Sequence, residues 1–182
     1  FGAISVLILA PLSISLLKPY QKQRILTFFN PENDPLGAGY HVIQSKIAIG
    51  SGGFFGKGFM KGSQSNLDFL PEKHTDFIFT VFAEQFGYIG CILLILLFIF
   101  LIMRIDMISK NSRNTFSRLM CFGISFNFFV YVGINIGMVS GLLPIVGVPI
   151  PIMSYGGTAM ITTMFALGLV LSAHIHKEEN IY

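Results

Sequence analysis

Four long runs that contain no Lys or Arg limit what this chain can fold into: residues 1–17 (FGAISVLILAPLSISLL), 77–103 (FIFTVFAEQFGYIGCILLILLFIFLIM), 119–139 and 153–173. They lie near the roughly 20 residues that a helix needs to cross about 30 Å of hydrocarbon. No water reaches backbone N–H and C=O groups there, so runs of this kind span as helices, which satisfy those groups internally. Composition points the same way. With 53% hydrophobic residues, 12% charged and 19 Phe among 182, the chain is too apolar for an ordinary soluble domain. The expected fold class is an all-α polytopic membrane protein. Run 1–17, interrupted by Pro11, is expected to be most of a span rather than a signal peptide, because no basic segment precedes it and no small-residue cleavage site follows. The chain is accordingly expected to be the later part of something longer.

Orientation follows from the cations. Arg104, Lys110, Arg113 and Arg118 crowd one short connection, Lys177 follows the last run, and no Lys or Arg lies between 119 and 176. Short loops rich in Lys and Arg stay cytoplasmic. One integral membrane domain, 1–182, is therefore expected: a partial span at 1–17, a large external loop at 18–76, a span at 77–103, a cytoplasmic loop at 104–118, a span at 119–139, an external turn at 140–152, a span at 153–173 and a cytoplasmic tail at 174–182. Cys91 and Cys121 both fall inside spans and indicate no disulfide. His174 and His176 have no companion ligands, so they read as polar residues at the headgroup level and not as a zinc site.

Segment 18–76 is far longer than an ordinary connection, and its apolar content (Phe28, Phe29, Tyr40, Ile43, Ile47, Phe54, Phe55, Phe59) is too high for a solvated linker. Within YHVIQSKIAIG, positions 40, 43 and 47, with Ile49 beside them, approximate a helical stripe opposite Gln44 and Lys46. This predicts a short helix lying in the membrane interface. GSGGFFGKGFMKG follows. It is not a Walker loop, because Ser51 and Gly58 stand where that pattern requires Gly and Ser or Thr, and no strand precedes it. Two readings of it remain: glycine-rich backbone able to approach a ligand closely beside Lys57 and Lys61, or a hinge between interfacial helices.

Two acids frame the next span. Asp76 falls at the loop-to-helix junction, where it suits either a helix cap or a functional role. Glu84 lies two turns deeper, where an ionisable group is a functional-site candidate by default. On a continuous helix the two would point within about 80° of each other. Near the end, GLLPIVGVPIPIMSYGGTAM carries Pro144, Pro149 and Pro151 among several glycines. That composition forbids a continuous helix, and irregular backbone at membrane depth is tolerated only beside protein or a wet cavity. Gly133, Gly137 and Gly141 recur every four residues as a face for close helix contact, and Asn127 and Asn135 read as interhelical hydrogen-bonding groups.

Three separated stretches, NPENDPLGAGYHVIQSKIAIGSGGFFGKG, FLPEKHTDFIFTVFAEQFG and VGVPIPIMSYGGTAM, resemble in order the C-terminal half of the SEDS family (shape, elongation, division and sporulation), most closely its RodA branch. The resemblance covers nearly the whole chain and implies the last four helices of a roughly ten-helix bundle. It further implies a peptidoglycan glycosyltransferase of the bacterial cytoplasmic (inner) membrane that polymerises lipid II, an undecaprenyl diphosphate-linked disaccharide peptide, on the outer face with a class B penicillin-binding protein. Membrane lipid is the other expected partner, and nucleic acid is not expected. The essential aspartate of the family's HTDF motif falls on Asp76, while the second acid often found beside Glu84 is replaced here by Gln85.

A polymerase must take a proton from a sugar hydroxyl while a lipid diphosphate leaves the neighbouring anomeric carbon. Asp76 is the expected catalytic base, with coordination of a divalent cation (Mg or Mn) as its rival role and no metal site otherwise assigned. Expected substrate contacts are Glu84, Lys73, His74, Lys46, Lys57 and Arg24, with Ser154, Tyr155 and Gly156 of the last motif; Gly133 and Gly137 are expected to meet the protein partner. A lipid II flippase and a scaffold for the penicillin-binding protein are the alternative functions.

Overall fold

The structure, a computed structural model, describes residues 18–30, 37–62 and 75–176. The expected first span, Lys73 and His74 lie outside the described residues. These residues form α1 (Pro19–Phe29), α2 (Ala38–Ser51), α3 (Ile78–Asn111), α4 (Thr115–Val139) and α5 (Gly157–Ile175), with no strand among them. Helices α3, α4 and α5 are each long and apolar enough to cross a membrane. The chain is an all-α integral membrane protein.

The part of α3 after its break at Gly87, residues 88–111, alone runs about 36 Å and overshoots the hydrocarbon. It therefore corrects the expected cytoplasmic loop at 104–118. Helix continues through Arg104 and Lys110, and the connection shrinks to Ser112–Asn114. A charge cluster marks where a span leaves the bilayer, not where its helix ends. Lys110 pairs with Asp106 one turn back (2.6 Å), and Asn114 caps α4 by accepting from Phe116 N–H at 3.0 Å.

Helix α4 is the central element. Its most apolar stretch is 28% buried, against 11% for those of α3 and α5. One core cluster (Phe77, Phe79, Phe98, Val132, Met138, Val139, Ile150) lies toward the α3 N-terminus, and a second (Ile105, Cys121, Phe128, Val170, Ala173) toward its C-terminus. Apolar burial against lipid offers no net drive within the spans, so close packing and interhelical hydrogen bonds hold the bundle. Ser125 Oγ donates to Ile102 O at 3.2 Å, and Ser109 Oγ to Arg118 O at 2.7 Å.

Helix α2 also joins the bundle. It packs on α3 and α4 through Val42, Ser45 and Ala48, while Ile47 of the expected apolar stripe is 47% exposed. Small side chains let backbones approach. Ser45 Oγ donates to Val139 O at 2.7 Å, so its other 2.7 Å contact is a bond donated by Thr80 Oγ1. Val139 O, a terminal carbonyl of α4 with no partner in its own helix, is thereby satisfied.

Helix α3 is broken at Gly87 (φ 66°, ψ −164°). The backbone of 53–58 fills the break as a strap: Tyr88 N–H donates to Gly53 O (2.9 Å), Ile89 N–H to Phe54 O (3.2 Å), Lys57 N–H to Glu84 O (3.0 Å) and Gly58 N–H to Gln85 O (3.0 Å). The glycine-rich segment is thus neither a nucleotide loop nor a free hinge. Contact is so close that a Cβ on Gly56 would lie 2.1 Å from Gln85 O, and one on Gly87 2.3 Å from Gly56 N.

Candidate functional site

Asp76 sits in the turn 75–77 that leads into α3, next to Phe77, which is 3% exposed and anchors the turn in the core. Two side chains from elsewhere fix the backbone of that turn. Asn135 Nδ2, on α4, donates to Asp76 O at 2.9 Å and to Val148 O at 2.7 Å. Ser154 Oγ donates to Thr75 O at 2.8 Å. Both residues are buried. The turn is therefore clamped between α4 and the Pro- and Gly-rich segment 140–156.

Asp76 stands one residue before the N-cap of α3. The residue at the N-cap of α3 is Phe77, which makes no side-chain cap bond. The Asp76 carboxylate lies against Gly147, where a Cβ would be 3.1 Å from Asp76 Oδ2. Gly147 is left-handed (φ 77°), a conformation that costs an L-residue roughly 1–2 kcal/mol. Gly147→Ala is expected to lower stability by about that amount and to push the carboxylate aside. The measurement is thermal unfolding of the complete purified protein; an unchanged midpoint would show that the turn relaxes freely. Ile152, at φ 70°, is a strained residue on the same segment.

Glu84 is fully buried, and Lys57 Nζ reaches its Oε1 at 2.8 Å. The acid inside the span is thus held against a cation from the strap. Asp76 and Glu84 are not two positions on one continuous helix, because Asp76 precedes α3.

The other expected cations gather elsewhere. Arg24, on α1, donates from Nη1 to Ile145 O at 2.9 Å. Lys46, on α2, packs against Gly141, and both cations border a small pocket with Thr27, Val42 and Pro144. Tyr155 is 82% exposed, next to buried Ser154 and partly buried Gly156. Gly133 faces open space, whereas Gly137 lies beneath Leu143 of the same chain. Among the described residues no group of three His, Cys, Asp or Glu converges to hold a metal ion.

A cavity of about 340 Å³ opens between α4 and α5, lined by Asn127, Tyr131, Ser154, Thr158, Thr162 and Thr163 among apolar neighbours. Thr162 and Thr163 return their hydroxyl protons to carbonyls of their own helix (2.8 Å each). Ser154 belongs both to this cavity and to the clamp on the Asp76 turn. The irregular segment 140–152 signalled that something had to be lined, and Pro149, Ile150, Pro151 and Ile152 line this cavity.

A helical membrane bundle that clamps one aspartate at the mouth of a span defines the class: a polytopic membrane protein with a candidate active site at a helix end. The chain belongs to the FtsW, RodA and SpoVE family, described as cell cycle protein, whose model matches residues 1–179. It is 56% identical over 163 residues to the peptidoglycan glycosyltransferase MrdB of Escherichia coli (strain K12), covering 90% of this chain and 44% of that protein. It is 42% identical over 166 residues to the peptidoglycan glycosyltransferase RodA of Treponema pallidum (strain Nichols), covering 91% and 38%. The chain therefore spans about half the length of these curated relatives or less. Among solved structures, it matches a chain from work on structural coordination of polymerization and crosslinking by a peptidoglycan synthase complex, with TM-score 0.75 and 34% identity over 98% of this chain and 49% of that one. It also matches the rod shape determining protein RodA of Thermus thermophilus, solved as an Asp-to-Ala mutant, with TM-score 0.57 and 32% identity over 60% and 37%.

Proposed function

We propose that this chain carries the catalytic aspartate of a peptidoglycan glycosyltransferase that polymerises lipid II during cell elongation. The observation that carries the reading is the clamped turn: Asn135 and Ser154 grip the carbonyls of Asp76 and Thr75 and place the carboxylate beside Gly147. Supporting it are relatives that are themselves named peptidoglycan glycosyltransferases.

In the proposed reaction, Asp76 takes the proton from the acceptor sugar hydroxyl. That oxygen forms the new glycosidic bond at the anomeric carbon of the donor, and the bond from that carbon to the lipid diphosphate breaks. A positioned base of this kind typically contributes 10² to 10⁴ in rate. Arg24 and Lys46 are the described cations that offer charge for the departing diphosphate, together with Lys73 and His74 of the neighbouring segment. Among the described residues a divalent cation would find one carboxylate at Asp76, with water and the diphosphate for its other ligands; no step is assigned to it. The site faces the outside of the cytoplasmic membrane, and a class B penicillin-binding protein is the working partner, with Gly133 as one contact.

The test is polymerisation in detergent, where there is no bilayer to cross, using the complete protein, its penicillin-binding partner and lipid II. Glycan strands resolved on a gel are the expected result. No strands from a folded complex that nevertheless moves lipid II across vesicle membranes would replace the polymerase with a flippase.

A further inference from the structure

The break in α3 admits two arrangements of the backbone. An unbroken helix would join Tyr88 N–H to Glu84 O and Ile89 N–H to Gln85 O. In the structure these same four groups are all taken by the strap, through Gly53, Phe54, Lys57 and Gly58. Anything between seated strap and closed helix leaves polar backbone unsatisfied at membrane depth, which is strongly disfavoured. Gly87 permits the broken arrangement, because its φ of 66° places it where a side chain is strained and its missing Cβ makes room for Gly56.

Charge decides which arrangement prevails. Glu84 is 0% exposed and meets Lys57 Nζ at 2.8 Å, while Lys57 is also the residue whose N–H fills the break. Withdrawing the strap would remove this cation from a buried carboxylate, so the pair latches the strap in place. The segment of α3 before the break, 78–86, follows directly on the turn that holds Asp76. Closing the break would swing that segment relative to the rest of α3, and the turn with it.

We propose that Lys57 and Glu84 are positioning residues for Asp76: their ion pair keeps the 53–58 strap seated in the α3 break, and the seated strap sets where the carboxylate stands. The inference rests on Asp76 acting as the base of the proposed reaction. It adds a part that touches no substrate: a latch 27 residues apart in sequence that selects the broken form of a membrane helix.

The test uses the complete protein with its penicillin-binding partner and has two readouts. Strap seating is read by cross-linking Phe54→Cys to Tyr88→Cys with a short bismaleimide, in a background with Cys91 and Cys121 replaced by Ala; the two native rings lie 6.1 Å apart. Rates of lipid II polymerisation are taken against the same background without the cross-linker. Lys57→Met, Glu84→Gln and Gly87→Ala are each expected to reduce cross-linking at least threefold and kcat at least tenfold, with KM for lipid II within about twofold. The charge swap, Lys57→Glu with Glu84→Lys, is expected to restore both readouts to at least a third of the reference. The proposal is overturned by cross-linking that falls while kcat stays, by kcat that falls while cross-linking stays, or by a folded swap that rescues neither. If the single variants do not fold, the swap alone decides. Asp76→Asn runs alongside: if it polymerises normally, the base reading fails and the positioning role with it, whereas an inactive Asp76→Asn beside fully active latch variants overturns the positioning role alone.

Discussion

Asp76→Asn, made in the complete protein and assayed with its penicillin-binding partner, is expected to lower lipid II polymerisation by about 10² to 10⁴, the usual worth of a positioned general base. The substitution keeps the size of the side chain and removes its negative charge and its ability to take a proton. It leaves the backbone carbonyl that Asn135 grips and the packing of Phe77 untouched, so the fold should persist. Folding and partner binding are checked by gel filtration of the complex; the rate is read from the length and amount of glycan strands. A folded, partnered variant that polymerises at the normal rate would remove Asp76 from the chemistry. Glu84 is the next acid along the chain, but it already faces Lys57, which suits it better to holding structure than to exchanging protons.

What could be read from the sequence depended on the range of the interactions involved. Apolar runs report burial in lipid through their own composition, so the three helices from 77 onward are legible, and the motif around Asp76 points to the turn that Asn135 and Ser154 hold. Interactions between distant segments leave no such local trace. The glycines at 52, 53, 56 and 58 signalled unusual backbone, yet nothing local says that this backbone enters a helix thirty residues later, where only Gly87 marks the receiving point. The large apolar side chains of α2 do not show which positions meet the bundle, because close packing in a membrane favours the small ones, here Ser45 and Ala48. The end of α3 was misplaced because Arg104 and Lys110 report the water boundary while the helix continues past it.

Asn135→Leu tests the clamp from the other side and carries the second large expected effect. Asn135 is fully buried, and its amide serves two carbonyls, Asp76 O and Val148 O, at 2.9 and 2.7 Å. Leucine has similar bulk and no donor. Each carbonyl that loses this donor costs about 1–3 kcal/mol, offset in part by removal of the buried, unpartnered Asn135 Oδ1, so about 1–5 kcal/mol of stability is expected to go. The rate should fall as well, since a misplacement of about 1 Å at a reacting group can cost roughly 10²-fold. Ser154→Ala removes one bond, to Thr75 O, and is expected to be milder, near 1 kcal/mol. Because both side chains hold the same turn, the double variant should lose less than the sum of the two, the mark of residues acting as a unit. Thermal unfolding and polymerisation are measured on all three. Additive losses would mean that Asn135 and Ser154 support separate parts of the fold. An Asn135→Leu protein as stable and active as the unmodified one would mean that the Asp76 turn is fixed by Phe77 and its core contacts alone.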